Sequence, residues 1–161
     1  MFLNNAAKGG YQQVLIRQAL RGESVRHFMN PDPISVSPSI DLSHWVEDYV
    51  YRQHHKVYPV VTNGHLEGCV ETQALTQIPR AEWDRHTVGE VMRRDLASFT
   101  LPPGADALEA FTKMARSGLG RRLITEGDHL IGIIALKDLL RFLNLKLELE
   151  GPPGGASTLP A

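Results

Sequence analysis

The chain contains one short stretch twice, as NGHLEG at Asn63–Gly68 and as GDHLIG at Gly127–Gly132. The second copy follows the first after 127 − 63 = 64 residues. The segments just upstream, Val57–Val61 and Arg121–Thr125, lie over one another at the same offset of 121 − 57 = 64 residues. A repeat of this period is longer than most solenoid units, and it fits two copies of a small domain.

Each copy predicts the same order of elements, β-α-β-β-α. A short β-favouring segment comes first, at Ile34–Ser37 and at Ser98–Leu101, and an amphipathic helix follows it. Two strands then form a hairpin, for which the Asn-Gly turn beginning at Asn63 is a strong signal. A second helix closes each copy, at Thr72–Ile78 and at Leu136–Leu147.

These patterns predict an α/β fold of the mixed α+β kind, with the two copies packed about a pseudo-twofold axis. One copy of about 60 residues is too small to bury both faces of its own sheet, so the copies must pack against each other. We expect each copy to keep its own sheet rather than to join one continuous sheet. Outside the repeat, Tyr11–Leu20 has a helical pattern, and Gly151–Ala161 has the composition of a disordered tail.

Composition and charge exclude several classes of protein. The 161 residues are 42% hydrophobic and 22% charged, which excludes disorder along the whole length. Lys+Arg 17 against Asp+Glu 18 lacks the basic excess of a nucleic-acid binder, so we expect no nucleic-acid partner. The single cysteine, Cys69, excludes a Cys-rich zinc site, and the spacing of the seven histidines predicts no metal site. No apolar run approaches the roughly 18 residues of a membrane span, so we expect no membrane insertion.

The order of the motifs resembles a tandem pair of CBS domains, the Bateman module. The matching pieces are Val25–Met29 and Val88–Met92 before the first strands, Tyr58–Val61 in the middle strand, and LIGIIALKDLL at Leu130–Leu140. On this resemblance we expect an N-terminal helical extension at 1–23, CBS domain 1 at 24–79, a linker and CBS domain 2 at 80–148, and a disordered tail at 149–161.

A narrower resemblance concerns the segment between the copies. Ile78–Trp83, followed by Thr87–Met92, is similar to the linker between the CBS domains of site-2-protease-like membrane zinc metalloproteases. Phe2–Ala7 and Tyr11–Gln13 look like the segment that leaves the last membrane helix of those proteases. Their CBS pair is C-terminal and cytosolic, which implies a cytoplasmic location. The protease signature His-Glu-x-x-His is absent from this sequence, so the chain resembles only the regulatory part, either excised from a longer protein or naturally separate.

The CBS resemblance implies a cleft that binds an adenosine nucleotide. A carboxylate in the first turn of a helix, such as Asp138, would accept hydrogen bonds from both ribose hydroxyls, while the helix N-terminus attracts phosphate. Basic side chains would add charge-assisted contacts, and Ser98 and Thr100 would meet adenine. Alternatively, Asp138 is a helix-cap or surface carboxylate, and the arginines lie on a solvated strand edge. The candidate ligand-binding residues are Asp138, Lys137, Arg121, Arg122, Ser98, Thr100 and Gly132, and the candidate ligands are AMP, ADP, ATP and S-adenosylmethionine.

Both copies depart from the family pattern at this site. In the second copy, Ala135 stands where the family has Ser or Thr, which removes one hydroxyl. In the first copy, 135 − 64 = 71 and 138 − 64 = 74 place Glu71 and Ala74 at the equivalent positions. The ribose acceptor is missing there, and the carboxylate of Glu71 would repel a phosphate. We therefore expect the first site to be dead or altered in specificity.

Two functions remain open on the sequence. The chain is either a regulatory module that senses an adenosine ligand and controls a partner such as a membrane protease domain, or a ligand-free module for dimerisation and protein interaction. An enzyme is not expected, since the sequence offers no nucleophile–base pair, metal cluster or Gly-rich phosphate loop. We expect a homodimer, formed through the apolar helix faces at Leu42–Val50 or Leu108–Ala115.

Overall fold

The computed structural model describes residues 13–151, which divide into two compact units. The helical unit comprises the described residues up to Met29, Pro103–Gly120, and those from Ile134 onward. The sheet unit comprises Asn30–Pro102 and Arg121–Ile133.

Five strands form one mixed sheet in the order β1-β2-β5-β4-β3. The strands are β1 (Val57–Thr62), β2 (His65–Glu71), β3 (Thr100–Leu101), β4 (Arg121–Glu126) and β5 (His129–Ala135). The β1–β2 hairpin recurs in the β4–β5 hairpin at every boundary, because 57 + 64 = 121, 62 + 64 = 126, 65 + 64 = 129 and 71 + 64 = 135. This confirms the repeat of 64 residues and the mixed α+β fold class.

The two hairpins join through their turns, where the sequence predicts separate sheets. A single antiparallel residue pair, His65 with His129, connects β2 to β5. Two backbone hydrogen bonds flank this pair, from the Leu66 amide to the Asp128 carbonyl at 2.7 Å and from the Leu130 amide to the Gly64 carbonyl at 3.3 Å. Adding 64 to 66 and to 64 gives 130 and 128, so each bond is the repeat-equivalent of the other. Local twofold symmetry therefore relates the two hairpins at this junction.

The first strand of the first copy is shorter than the sequence predicts. Ile34–Ser37 forms no extended strand and keeps only one parallel bridge, Val36 with Val60. In the second copy, β3 pairs with β4, and the Leu123 amide donates to the Phe99 carbonyl at 2.8 Å. The residue equivalent to Leu123 is Pro59, since 123 − 64 = 59, and proline has no amide hydrogen to donate. The missing donor explains the shorter pairing.

The helices follow the predicted order with two differences. The first, α1, spans residues 13–20, and the part of the predicted Tyr11–Leu20 helix before it lies outside the described residues. The predicted helix at Thr72–Ile78 is a 3-10 helix, Thr72–Gln77, which is short because Pro79 disfavours a helical conformation at Ile78. The remaining helices are α2 (Leu42–Trp45, a wide π-turn Val46–Val50, and Tyr51–Gln53), α3 (Val88–Val91), α4 (Ala107–Ser117) and α5 (Leu136–Glu150).

The core of the sheet unit forms around aromatic side chains of α2 and β1. The rings of Trp45 and Tyr58 are both fully buried and meet edge to face at 6.0 Å between centroids. The Tyr58 hydroxyl donates to the Tyr49 carbonyl at 3.0 Å, which gives this buried hydroxyl a partner. Leu42 and Val46 of α2 join the same cluster, so most of the apolar face of α2 packs within its own unit.

The helical unit is organised by α4 and α5. Asp106 caps α4 by accepting a hydrogen bond from the Glu109 amide at 2.9 Å, and Gly118, with φ 74°, ends the helix as the sequence predicts. Phe28 and Phe142 meet edge to face at 4.9 Å between ring centroids. Among the helices of residues 13–151, none has the length and apolar character needed to cross a membrane.

Candidate functional site

The N-terminus of α5 has the chemistry expected of a ribose and phosphate site. Ala135 occupies the N-cap position in extended conformation, and no side chain caps the helix. The first helical amide, of Leu136, donates to the Gly120 carbonyl at 2.7 Å. The next amides, of Lys137 and Asp138, belong to the first turn, where backbone donors have no intrahelical acceptor. The absence of a hydroxyl at Ala135 therefore leaves this helix end open to an anion.

Asp138 is accessible at this helix end. Its side chain is 39% exposed, and the nearest cation is Arg141, with 3.9 Å between Nη1 and Oδ1. A separation of 3.9 Å is too long for a hydrogen bond. Asp138 lies within the first turn rather than at the N-cap, so the helix-cap alternative is wrong, while the surface-carboxylate alternative stays open. The carboxylate can accept hydrogen bonds from a ligand.

The equivalent helix end in the first copy differs in its charges. The Thr72 amide donates to the Lys56 carbonyl at 2.9 Å, and adding 64 to each number gives the bond between Leu136 and Gly120. Glu71 takes the N-cap position, and its Oε1 lies 3.4 Å from Nη1 of Arg93. Ala74 stands at the position of the ribose acceptor. Since the carboxylate is ion-paired and the acceptor is absent, this end lacks the groups that a ribose would need.

The other candidates belong to the sheet unit. Thr100 lies in β3, and its hydroxyl donates to the Leu96 carbonyl at 2.9 Å, whereas Ser98 is exposed in the turn before that strand. Gly132 is buried within β5. β3 pairs Thr100 with Leu123 of β4, directly after Arg122 in the chain. The structure therefore brings Thr100 beside β4, while Lys137 and Asp138 belong to the helical unit.

The two arginines of β4 have different environments. Arg122 is buried, with 7% of its surface exposed, and Nη1 donates to the Arg121 carbonyl at 2.9 Å. Burial lowers the pKa of the Arg122 guanidinium. Arg121 is half-buried. The alternative of a solvated strand edge is therefore wrong for Arg122, because its side chain packs into the unit.

One cluster of polar side chains escaped the sequence analysis. His65, Asp128 and His129 come together where the two hairpin turns meet. The hydrogen bond from His65, at 2.8 Å between Nδ1 and Oδ2, lowers the pKa of the Asp128 carboxyl. The signal that could have revealed this cluster is the repeat itself, since 65 + 64 = 129 places the two histidines at equivalent positions.

Comparisons with known proteins agree with the repeat. The family model described as CBS domain matches residues 25–77 and 88–145. A zinc metalloprotease of Methanocaldococcus jannaschii, MJ0392, is 28% identical over 153 residues, which cover 93% of this chain and 42% of that protein. The protein Rip3 of Mycobacterium tuberculosis is 24% identical over 146 residues, covering 89% of this chain and 37% of Rip3. The chain thus spans less than half the length of these two relatives.

A solved structure shows the same fold. The CBS domain of a bacterial CNNM/CorC family Mg²⁺ transporter, described in complex with ATP, superposes with a TM-score of 0.67 at 16% identity. The match covers 83% of this chain and 97% of that one. The two matched segments, the internal repeat and the mixed sheet agree with one another, and the chain belongs to the CBS domain family.

Proposed function

We propose that the chain is a regulatory CBS pair that binds an adenosine nucleotide at the second copy and controls a partner domain. The observation that carries this proposal is the open N-terminus of α5, with Asp138 accessible in its first turn. The ATP complex of the CNNM/CorC relative supports the ligand class. The zinc metalloprotease MJ0392, which is longer than this chain, supports a membrane zinc metalloprotease domain as the partner.

Each group at this helix end has a separate task in the proposal. The Asp138 carboxylate accepts both ribose hydroxyls, and an ionised acceptor makes shorter and stronger bonds than a neutral one. The free amides at the start of α5 and the exposed Lys137 ammonium face the phosphates. The assignments within the sheet unit stay proposals: Ser98 and Thr100 toward adenine, Arg121 and Arg122 toward phosphate, and Gly132 at the strand before the helix.

Regulation follows from differential affinity. A nucleotide that binds one arrangement of the module more tightly than another shifts the population toward the first arrangement, and a partner domain responds to that shift. We propose that this happens at the cytosolic face of a membrane, with CBS domains at 24–79 and 80–148 between an extension at 1–23 and a tail at 149–161. Protease activity would belong to the partner domain and not to this chain.

The proposed homodimer uses the face of α4. The face of α2 is less available, because Leu42, Trp45 and Val46 are buried in the core of the sheet unit. By contrast, Leu108 and Phe111 of α4 line an open groove of about 510 Å³ in the helical unit. The same groove supports the second candidate function, a ligand-free interaction module, in which the uncapped α5 has no ligand.

A thermal-shift screen with AMP, ADP, ATP and S-adenosylmethionine separates the two functions. A nucleotide at about 100 times its dissociation constant stabilises the native state by about 2.7 kcal/mol, which raises the unfolding midpoint by about 5–10 °C for a chain of this size. A shift with one of these compounds supports the sensor. No shift with any of the four would overturn nucleotide sensing and leave the interaction module.

A further inference from the structure

The junction between the two hairpins collects three metal-ligating side chains in a small volume. One donor atom from each of His65, Asp128 and His129 lies within 4.8 Å of the other two. All three side chains are exposed, so an ion in solution can reach them. Two imidazoles and one carboxylate are a donor set that Zn²⁺, Cu²⁺ and Ni²⁺ accept, whereas Mg²⁺ and Ca²⁺ prefer oxygen ligands throughout.

The backbone fixes this cluster more firmly than surface side chains usually are. His65 and His129 are direct antiparallel partners, and their rings lie 4.5 Å apart between centroids. The paired hydrogen bonds of Leu66 and Leu130 hold the backbone on both sides of the pair. Both histidines therefore start from fixed positions, and an ion orders only side-chain torsions.

Gly64 leaves room for the second imidazole. A Cβ atom at this position would lie 3.5 Å from Nδ1 of His129. Gly64 has φ +84°, a conformation that glycine adopts without strain, so the turn closes beside the ring. The ring of His129 can thus turn toward Asp128 without meeting a side chain at position 64.

The distances need only a small adjustment. Nδ1 of His65 lies 2.8 Å from Oδ2 of Asp128, and Nε2 of His129 lies 4.0 Å from Oδ1. Ligand atoms around a tetrahedral zinc ion, with bonds of about 2.0–2.2 Å, are about 3.3 Å apart. Rotations of exposed side chains change these distances readily, and a water molecule would complete the fourth position.

From this geometry we propose that His65, Asp128 and His129 form a binding site for one divalent transition-metal ion, with Zn²⁺ as its representative. The ion is held within one chain, and it links the two repeats through their turns. The site lies entirely within the sheet unit and uses none of the residues proposed for the nucleotide.

Calorimetric titration of the untagged protein with ZnCl₂, in buffer without phosphate or nucleotide, tests the site. We expect one ion per chain. Replacement of a ligand, as in His65→Ala, Asp128→Asn or His129→Ala, weakens binding at least as much as the roughly 10–100-fold that loss of an outer-shell partner costs. Far-ultraviolet circular dichroism checks that each variant is folded.

His44→Ala is the matched control. His44 is also exposed, and its Nδ1 lies 2.7 Å from a carboxylate oxygen of Asp41. Among residues 13–151, however, a second imidazole converges on such a pair only at the junction of the hairpins. This variant therefore keeps wild-type zinc affinity. Electron paramagnetic resonance of the Cu²⁺-loaded protein adds a direct readout: nitrogen coupling from two imidazoles in wild type, and from one in His129→Ala.

Three results would overturn the site. The first is no zinc binding by wild type at millimolar Zn²⁺. The second is binding that the three ligand variants leave unchanged. The third is a stoichiometry of half an ion per chain, which would mean that two chains share the ion.

Discussion

Glu71 and Arg93 form an ion pair, with 3.4 Å between Oε1 and Nη1, at the helix end where the second repeat has the neutral Ala135. The side chain of Glu71 is only 20% exposed, so its carboxylate occupies the space in which a ligand phosphate would approach. The two repeats thus have the same backbone hydrogen bond at this point but opposite electrostatics. This difference explains why we assign nucleotide binding to the second copy.

Replacing Glu71 tests this assignment. In Glu71→Thr, nucleotide binding at the second copy keeps its affinity, because the mutation removes no group of that site. Stability falls by at most about 1 kcal/mol, since the pair is partly exposed and screened by solvent. Calorimetry with the nucleotide, and urea unfolding, measure the two effects. A tenfold loss of nucleotide affinity would contradict the assignment.

The capping contact of α4 predicts a stability change. Asp106→Ala removes the acceptor of the Glu109 amide and costs about 0.5–2 kcal/mol of unfolding free energy, whereas Asp106→Asn keeps an acceptor and costs much less. Chemical denaturation of the three proteins makes the comparison. Equal losses in the Ala and Asn variants would show that the side chain acts otherwise than as a cap.

The pair of His44 and Asp41 predicts a pH dependence. The hydrogen bond with Asp41 raises the pKa of His44 above its ordinary 6.5, with a further contribution from the charges of Asp48 and Glu47. A raised pKa in the folded state means stabilisation that is fully present below pH 6.5 and is lost as the pH rises through the folded-state pKa. The effect is small because both side chains are exposed to solvent.

His44→Ala removes this contribution. The difference in unfolding midpoint between wild type and His44→Ala is therefore larger below pH 6.5 than well above it. Thermal unfolding across that pH range measures the difference. A gap that widens as the pH rises would contradict the assigned role of the pair.

The groove along α4 predicts the oligomeric state. Light scattering should report twice 17.9 kDa for wild type. Phe111→Glu should return a species of 17.9 kDa, because it places a charge in the proposed interface. Tyr51→Glu, on the exposed end of α2, is the control that keeps the dimer. A wild-type chain that scatters only as a monomer at tens of micromolar would exclude the dimer.

The sequence predicted the parts of the fold that local patterns encode. The hairpins recur at every boundary with the offset of 64, because alternating strands and turn residues are local signals. The first strand failed at Pro59, where one missing amide hydrogen outweighed the β-favouring residues of Ile34–Ser37. That outcome depends on a partner strand, and periodicity within one segment cannot report it.

The candidate site was predictable to the same degree. Asp138 and Lys137 could be placed in the first turn of α5 from the sequence pattern, and they lie there. The pairing of Glu71 with Arg93 joins residues separated by 93 − 71 = 22 positions. The contact of His65 with Asp128 spans 128 − 65 = 63 positions. Such contacts arise from tertiary packing, so only the folded chain reveals them.

The central claim is that Asp138 holds the ribose of a bound adenosine nucleotide. Calorimetry tests it on wild type, Asp138→Ala and the control Glu148→Ala, which removes an exposed carboxylate from a later turn of the same helix. We expect one nucleotide per wild-type chain and unchanged binding in Glu148→Ala. In Asp138→Ala the loss should be on the order of 2–4 kcal/mol, about 30-fold or more in affinity, because a charged acceptor of two hydroxyls is gone. Equal affinity in wild type and Asp138→Ala would contradict the account.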